Sequence, residues 1–513
     1  MALLLGCGES KPVPDVPEDG GTLRIAVPVP LDFLTPVRSV EPTTEQLMQH
    51  VTPPLGRVTE QGDIQWLTAR APGLLQPGLL FRLRPVFWQD GKRVTAHDFA
   101  LTAHVMLHPG APGHERSRFG LVRDVIALDD TTLYFDLLEF SRQRWRDALL
   151  GPLPAHILGP EPDPRSLNDW PVTRKPLACG PFAVVESSSQ RLVLARNARS
   201  GWPPARLDRV EVLSLPMAEA VAKFRAGDID VIDDLAPGEV ESVRKVRGAR
   251  VLAFVGASYV YVGWNLRDAR FADLEVRRAI ALGTDIPRLV RDLTFGQGDL
   301  ARGPLVPALG VADTTAILMT DVRAARAGLD RAGWRDANGD GVRERGGAQL
   351  AFHLLAPAED PLRCDTAKAV ADELRALGIQ VSVRIVAEDE LYTRLGRGEF
   401  EAYVGKWFPH LGGQLESVWH SEETDAFNYG GFSSRAVDSI LSRLRLEQPG
   451  PSEMEWLLAL QRQVYSEQPY LFLFQDPRFA ALSRRVQGAR PTVLSTFWNL
   501  PEWWVPRRLR EES

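Results

Sequence analysis

Cysteine and lysine are scarce in this sequence, and long apolar runs are missing. The three cysteines, Cys7, Cys179 and Cys364, are too few for a disulfide framework and lack the spacing of a zinc knuckle. No apolar run reaches the roughly 18–20 residues that a membrane-spanning helix needs. Seven lysines are present, so arginine carries almost all of the positive charge. These absences argue against a disulfide-rich scaffold and against a helical integral membrane protein.

Catalytic signatures are also missing. The sequence contains no nucleophile elbow (G-x-S-x-G), no phosphate-binding loop (G-x-x-x-x-G-K-[ST]) and no H-E-x-x-H zinc helix. The net charge of −6 gives no excess of basic residues, which nucleic-acid-binding proteins normally have. We therefore expect a protein that is not an enzyme and that has no nucleic-acid partner.

The length and composition indicate a folded protein of several domains. The chain has 513 residues, of which 44% are hydrophobic and 25% are charged, as is typical of globular proteins. Because one hydrophobic core rarely serves more than about 250–300 residues, we expect two to four domains.

The N-terminus carries a candidate lipidation site. The sequence Leu4-Leu5-Gly6-Cys7 resembles a bacterial lipobox, in which the cysteine thiol receives a diacylglycerol and the preceding residues are cleaved away. Acyl chains hold a protein at a membrane with about 0.8 kcal/mol per buried methylene. The polar residues 8–21 would form the tether, although a complete signal peptide is longer than the segment before Cys7. The alternative is a plain N-terminal segment with a free cysteine.

Local patterns predict several elements in the first half of the chain. The alternating segment that begins at Gly21 is typical of a strand. Thr95 can cap a helix over Ala96–Leu107, with Asp98 three residues after the cap. Residues 182–186 and 191–195 are expected to form a hairpin, and a short amphipathic helix is expected at 217–226.

Strands and helices alternate most clearly between residues 350 and 406. The expected elements are a strand at Leu350–Leu355, a helix at Leu362–Leu377, a strand at Ile379–Val386, a helix at 388–396 and a strand at Glu399–Lys406. Apolar residues of the first helix recur on one face, and Gly378 ends it. This alternation predicts an α/β region with a largely parallel sheet.

One acidic loop has part of the spacing of a calcium site. Asp336, Asn338, Asp340 and Glu344 stand at positions 1, 3, 5 and 9, with glycine at position 6. The twelfth position, where an EF-hand has a bidentate glutamate, is Gly347. The alternatives are therefore a weak calcium site and a tight turn held by Asx hydrogen bonds. We expect no other cofactor.

Several sequence blocks follow one another in a characteristic order. The blocks are Gly21–Arg24, Phe81–Arg84, Trp88–Gly91, Val94–Asp98, Leu153–Leu158, Cys179–Phe182, Phe224–Asp230, Asn265–Phe271, Val276–Ile280 and Asn428–Ser434 with Val437-Asp438. In this order, from about Gly21 to about Gly488, they resemble the extracellular solute-binding proteins of ABC importers, in the family of dipeptide- and oligopeptide-binding proteins.

The resemblance implies an α/β fold, a two-lobed clamshell of the periplasmic-binding-protein type (type II-like) with an extra inserted domain. Residues 1–20 would be the signal remnant and tether. Domain I would comprise residues 21–48, 172–266 and 478–513, domain II residues 49–171, and domain III residues 267–477. Domains I and II would form one lobe and domain III the other, with the solute between the lobes. Crossings between domains are expected near residues 48, 172, 267 and 478.

The resemblance also implies where the solute binds. Peptide-binding members have a tryptophan followed three residues later by an aspartate that takes the α-amino group of the peptide. The matching segment here is Trp407-Phe408-Pro409-His410, so histidine replaces the carboxylate. We expect Trp407, Phe408, His410 and Asn428 to contact the solute, with core packing as the alternative for Trp407. Because imidazole cannot replace the charge of an aspartate, we expect weak binding of peptides with a free amine.

The leading hypothesis is a lipid-anchored solute-binding protein, in the periplasm or at the cell surface. It would capture a small molecule or peptide and deliver it to the permease subunits of an ABC importer, and we expect a monomer. The alternative within the fold is a transport-independent sensor or assembly partner. The alternative of a different class, a hydrolase, has no motif to support it.

Overall fold

The computed structural model describes residues 16–31, 34–35, 37, 42–60, 63–110, 122–138, 149–254, 258–307, 311, 319–409, 414–422, 427–444 and 451–510. The strands are β1 (Thr22–Val27), β2 (Gly56–Val58), β3 (Ile64–Trp66), β4 (Gly73–Leu75), β5 (Gly78–Arg82), β6 (Val122–Asp129), β7 (Thr132–Leu137), β8 (Phe182–Ser187), β9 (Arg191–Arg196), β10 (Arg209–Ser214), β11 (Val231–Ile232), β12 (Arg250–Phe254), β13 (Tyr259–Trp264), β14 (Asp299–Leu300), β15 (Glu344–Arg345), β16 (Ala348–Gln349), β17 (Ala351–Pro357), β18 (Gln380–Val386), β19 (Ala402–Trp407), β20 (Tyr470–Gln475) and β21 (Arg478–Leu482). The helices are α1 (Pro42–Met48), α2 (Ala96–Leu107), α3 (Ala155–Leu158), α4 (Pro171–Arg174), α5 (Met217–Ala226), α6 (Val240–Arg244), α7 (Leu274–Gly283), α8 (Ile286–Leu293), α9 (Val322–Arg331), α10 (Pro361–Arg375), α11 (Glu388–Arg397), α12 (Gln414–Trp419), α13 (Arg435–Leu444) and α14 (Pro451–Glu467).

A seven-stranded mixed sheet is built from both ends of the chain. Its order is β12-β21-β11-β1-β10-β9-β8, and β1 pairs in parallel with β10 and β11. Side chains alternate along β1, so that Leu23 and Ile25 enter one buried core and Ala26 enters the core on the other face. The strand expected after Gly21 and the hairpin of β8 and β9 are both confirmed.

A four-stranded antiparallel sheet, β4-β5-β7-β6, packs against α2. The helix spans the predicted residues Ala96–Leu107, because the Asp98 carboxylate accepts a 2.8 Å hydrogen bond from the backbone N–H of Thr95. Phe99 of α2 and Phe81 and Phe135 of the sheet are fully buried between the two layers. We call this sheet with α2 and α3 the inserted unit.

A six-stranded sheet, β14-β20-β13-β19-β17-β18, forms the other large layer. The sequence predicted a largely parallel sheet, and this prediction is wrong for half of the strands. Only β19, β17 and β18 run parallel, whereas β13 pairs antiparallel with both β19 and β20. The parallel strands belong to the predicted strand-helix alternation, and the antiparallel strands connect to the other sheet.

Helix α10 covers the parallel strands of the six-stranded sheet with the predicted apolar stripe. Ala367, Val370 and Leu374 are fully buried, and each is about one helical turn from the next. Gly378, with φ of +78°, follows the helix and allows the left-handed turn into β18.

The two large sheets have separate hydrophobic cores and are joined by two short connections. One runs from Phe254 of β12 to Tyr259 of β13, and the other from Gln475 of β20 to Arg478 of β21. Strand β13 already belongs to the six-stranded sheet, so the chain enters this sheet before residue 267. The domain crossing expected near residue 267 stays a prediction. The sequence signal at 265–271 marks the turn after β13.

Cysteine and membrane features agree with the composition. Cys179 and Cys364 are both unpaired and buried. Burial, as the largest cause, raises the pKa of both thiols and keeps them protonated. Among the helices of the described ranges, none combines the length and the apolar character that a membrane crossing requires.

Candidate functional site

Two sheet edges meet at the connections between the sheets, and we call the region between these edges the cleft. In the seven-stranded sheet, β1 and β11 run parallel, so both end at the edge where β21 begins. In the six-stranded sheet, the ends of β19 and β20 flank the start of β13, because Tyr259 pairs with both Trp407 and Gln475. The carboxyl ends of strands in such sheets are the usual place for ligand sites.

A backbone hydrogen bond joins Ser258 of the first connection to Asp476 of the second. The backbone N–H of Asp476 donates a 3.1 Å hydrogen bond to the carbonyl oxygen of Ser258. Because each sheet packs its own core, a rotation about these connections disturbs neither core. The two connections are therefore the candidate hinge between the sheets.

Trp407 and Phe408 lie at the end of β19, on the cleft edge. Trp407 is half-buried, and its ring packs edge-on against Phe427 at 5.0 Å between centroids. Phe408 is 37% exposed, and the Lys406 ammonium lies 5.3 Å from its ring centroid. The segment thus offers both an apolar surface and a ring face that accepts a cation.

Lys406 carries a positive charge into the cleft. Its ammonium forms an ion pair with the Asp476 carboxylate. Desolvation opposes the charged form, but the carboxylates of Asp476, Asp234 and Asp360 outweigh it and raise the pKa of Lys406. Lys406 therefore stays charged at any physiological pH.

Asp234 lies just beyond the end of β11, in the sheet that does not contain Lys406. Its side chain is exposed to solvent, yet the protein around it desolvates the carboxyl group and raises its pKa to about 6. The negative charges of Asp476 and Asp233 act in the same direction, while Lys406 opposes them. The carboxyl group thus titrates close to neutral pH.

Asn428 is engaged in a local turn. Its side-chain amide donates to the carbonyl oxygen of Phe432 at 2.7 Å, and its carbonyl oxygen accepts from the backbone N–H of Phe432 at 2.8 Å. These two bonds fix the turn before α13, so a solute contact by Asn428 stays a prediction. His410 and Cys7 lie outside the described residues.

The acidic loop holds its carboxylates close together. Ligand oxygens of Asp336, Asp340 and Glu344 all lie within 4.8 Å of one another, which suits a hard cation. Asp336 accepts hydrogen bonds from the backbone N–H groups of Gly339 and Gly341, at 2.8 and 3.1 Å.

Asx hydrogen bonds already organise this loop. Asn338 Oδ1 accepts from the backbone N–H of Asp340, and Asp340 Oδ1 accepts from that of Val342, each at 2.8 Å. Glu344 Oε1 accepts from two further backbone N–H groups. The turn predicted as one alternative is therefore present, and calcium binding stays a prediction.

A separate pocket of about 540 Å³ lies in the inserted unit, beside the start of α2. Two of its histidines already have partners: His156 contacts Asp90 at 2.8 Å and His104 contacts Asp124 at 2.9 Å. We therefore take the cleft, where side chains from two lobes meet, as the candidate functional site in preference to this pocket.

Three charged residues of the candidate site were not predicted from the sequence: Asp234, Lys406 and Asp476. One local signal was available for Asp234, since two adjacent aspartates, Asp233 and Asp234, directly follow an apolar strand. Lys406 and Asp476 gave no signal, because their pairing joins segments about 70 residues apart in sequence.

Comparisons with known proteins agree with this architecture. A family model described as "Bacterial extracellular solute-binding proteins, family 5 Middle" matches residues 78–427. The oligopeptide-binding protein AppA of Bacillus subtilis is 24% identical over 505 residues, which cover 96% of this chain and 93% of AppA.

Solved structures agree as well. The structure of B. subtilis AppA with a nonapeptide superposes with a TM-score of 0.84 at 23% identity, covering 96% of this chain and 100% of AppA. NikZ from Campylobacter jejuni, in complex with Ni(L-His), gives a TM-score of 0.82 at 20% identity, with 95% and 100% coverage. The expected α/β fold of this class is confirmed. The chain belongs to the bacterial extracellular solute-binding proteins of family 5.

Proposed function

We propose that this protein captures a small solute in the cleft between its lobes and delivers it to the permease subunits of an ABC importer. The observation that supports the proposal is a pair of sheets with separate hydrophobic cores, which are joined by two connections at their strand ends. Such an arrangement closes around a ligand by shifting a population of open and closed forms, and it needs no chemical step.

We also propose three domains. Domain I would contain the seven-stranded sheet and domain II the inserted unit. Domain III would contain the six-stranded sheet, beginning at the connection between Phe254 and Tyr259 and not at residue 267. The chain would return to domain I at residue 478, a proposal supported by the start of β21 at Arg478.

The solute would lie against Trp407 and Phe408, with its polar groups at the charged residues of the hinge. An aromatic surface of this kind contributes apolar contact area and accepts a range of shapes. The fold alone does not select the solute, since a nonapeptide and a nickel–histidine complex are bound by the structures of similar fold.

Closure can be tested on the protein purified without denaturation. Native mass spectrometry is expected to find a retained solute. Small-angle scattering is expected to show a smaller radius of gyration for the protein with this solute than for the protein after the solute has been removed. Trp407→Ala should lower the retained fraction. Phe87→Ala, which removes another partly exposed ring in the inserted unit, should not. No retained mass together with an unchanged radius would contradict the proposal.

Delivery to an importer separates the leading function from its alternative. Co-precipitation with permease subunits that depends on the closed form supports transport. A closing protein that binds no permease would be a sensor of the same fold.

The lipid anchor at Cys7 is part of the proposal. With a complete upstream signal peptide, the wild type should fractionate with membranes and Cys7→Ser should be released, because the acyl chains supply the membrane affinity. Cys179→Ser, a buried thiol, is the control and should stay with the membrane. Identical fractionation of all three proteins would contradict a lipid anchor at Cys7.

A further inference from the structure

The backbone around Asp234 is fixed on both sides, so the residue has a defined place at the cleft edge. The N–H of Asp233 donates to the carbonyl oxygen of Ala26 at 3.0 Å, and the N–H of Leu235 donates to that of Phe479 at 2.8 Å. Between them, Asp234 adopts a left-handed conformation with φ of +54°, which aspartate and asparagine tolerate better than most residues.

Asp234 has no hydrogen-bond or ion-pair partner in the described part of the chain, in contrast to the acidic residues near it. Among the described residues, none donates a hydrogen bond to its carboxylate or places a cationic nitrogen within 4 Å of it. Asp233 accepts from the hydroxyl groups of Thr43 and Thr496, at 3.0 and 2.6 Å. Asp476 is paired with Lys406.

A second cation near Asp234, the guanidinium of Arg478, does not neutralise the charge of the Asp234 carboxylate. The Arg478 guanidinium lies over the ring of Phe254, 5.5 Å from its centroid. Its Nε and Nη2 atoms are buried without a hydrogen-bond acceptor, so they do not reach the Asp234 carboxylate. Three carboxyl groups, of Asp233, Asp234 and Asp476, thus face two cations, and Asp234 is the exposed one of the three.

We propose that Asp234 receives the positively charged group of the solute, an ammonium or guanidinium, while the apolar part of the solute packs on Trp407 and Phe408. The inference rests on the proposed function of the cleft. When the lobes close, water leaves the cleft, and a carboxylate without a counter-charge would oppose closure. A cationic solute supplies that charge and thereby favours the closed form.

This inference revises the expectation drawn from the sequence. Histidine at position 410 predicted weak binding of peptides with a free amine, because the usual aspartate is missing. Asp234 provides a carboxylate from the opposite lobe. The preferred solutes are therefore amphipathic cations, and a free-amine peptide with an aromatic side chain is one of them.

Solute binding should be coupled to the protonation of Asp234. The groups that face it are Asp233 on its own strand end, Lys406 from β19, and Asp476 and Arg478 from the second connection. Since its pKa is about 6, a cation binds at neutral pH to a carboxylate that is already ionised. At pH 5 most molecules must first lose a proton, so affinity should fall about tenfold between pH 7 and pH 5.

The test uses calorimetric titration of the full chain, freed of retained solute, with the tripeptide Phe-Ala-Phe, its N-acetylated form and phenethylamine. The free amines should bind at least about tenfold more tightly than the acetylated peptide, which lacks the charge-assisted contact. Asp234→Asn should abolish this preference and the pH dependence. Asp228→Asn, an exposed aspartate before the other end of β11, should leave both unchanged.

Each outcome decides one question. Equal binding of free and acetylated peptide, or a preference that survives Asp234→Asn, overturns the inference. Failure of every cationic probe also overturns it if the protein still closes on its retained solute, and the proposed function then stands. If the protein neither retains a solute nor closes, the proposed function fails first.

Discussion

Asp98 in the inserted unit and Asp234 in the cleft are both carboxyl groups whose pKa is raised by desolvation, but their surroundings differ. Asp98 is 2% exposed and accepts hydrogen bonds from the backbone N–H groups of Thr95 and Ala155, both at 2.8 Å, and from the Trp88 indole at 3.3 Å. Asp234 is exposed and accepts none from the described residues. The direction of the pKa shift is therefore uninformative here, and the donors around each carboxylate indicate which one is available to a ligand.

The largest effect expected from this comparison is on stability. Asp98→Asn should lower the free energy of unfolding by about 3 kcal/mol at pH 7, because an amide cannot accept from all of these buried donors. Urea denaturation with an unchanged slope would measure it.

Asp234→Asn is the matched control for that measurement. It removes no hydrogen bond from a described residue, and asparagine tolerates the left-handed backbone, so no stability should be lost. At pH 7 the free energy of unfolding should rise, because folding no longer has to desolvate an ionised carboxyl group whose pKa it raises. Equal losses in the two variants would show that the carboxylates do not differ as described.

The smallest effect concerns the carboxylates of the acidic loop, which resemble Asp98 in having backbone donors but lie nearer the surface. Because Asp336 and Asp340 already accept backbone hydrogen bonds and the twelfth ligand is missing, excess calcium should raise the melting temperature by less than a few degrees relative to chelator. A larger shift that disappears in Asp340→Ala would reveal a calcium site. Asp365→Ala, on the surface of α10, is the control.

Much of the fold could be predicted because its signals are local. The bounds of α2 and α5 follow from a cap and from a 3.6-residue pattern within a dozen residues. The antiparallel place of β13 could not be predicted, since its partner β20 lies about 200 residues further along the chain. Pairing over such distances leaves no pattern within either strand.

The candidate site was predictable in part for the same reason. Trp407 and Phe408 were identified through a continuous sequence block that resembles the family, and the structure places them at the cleft edge. Asp234 depends on the register between β11 and β21 and on which edges the hinge brings together. Neither is encoded in the few residues around Asp234.

The separation of the cores has a consequence for how such a protein can diversify. Exposed residues at the strand ends, such as Asp234 and Phe408, belong to none of the buried cores. Substitutions there are expected to change solute preference at little cost in stability. A lineage can therefore explore new nutrients one strand end at a time, while the two cores keep the hinge and its motion intact.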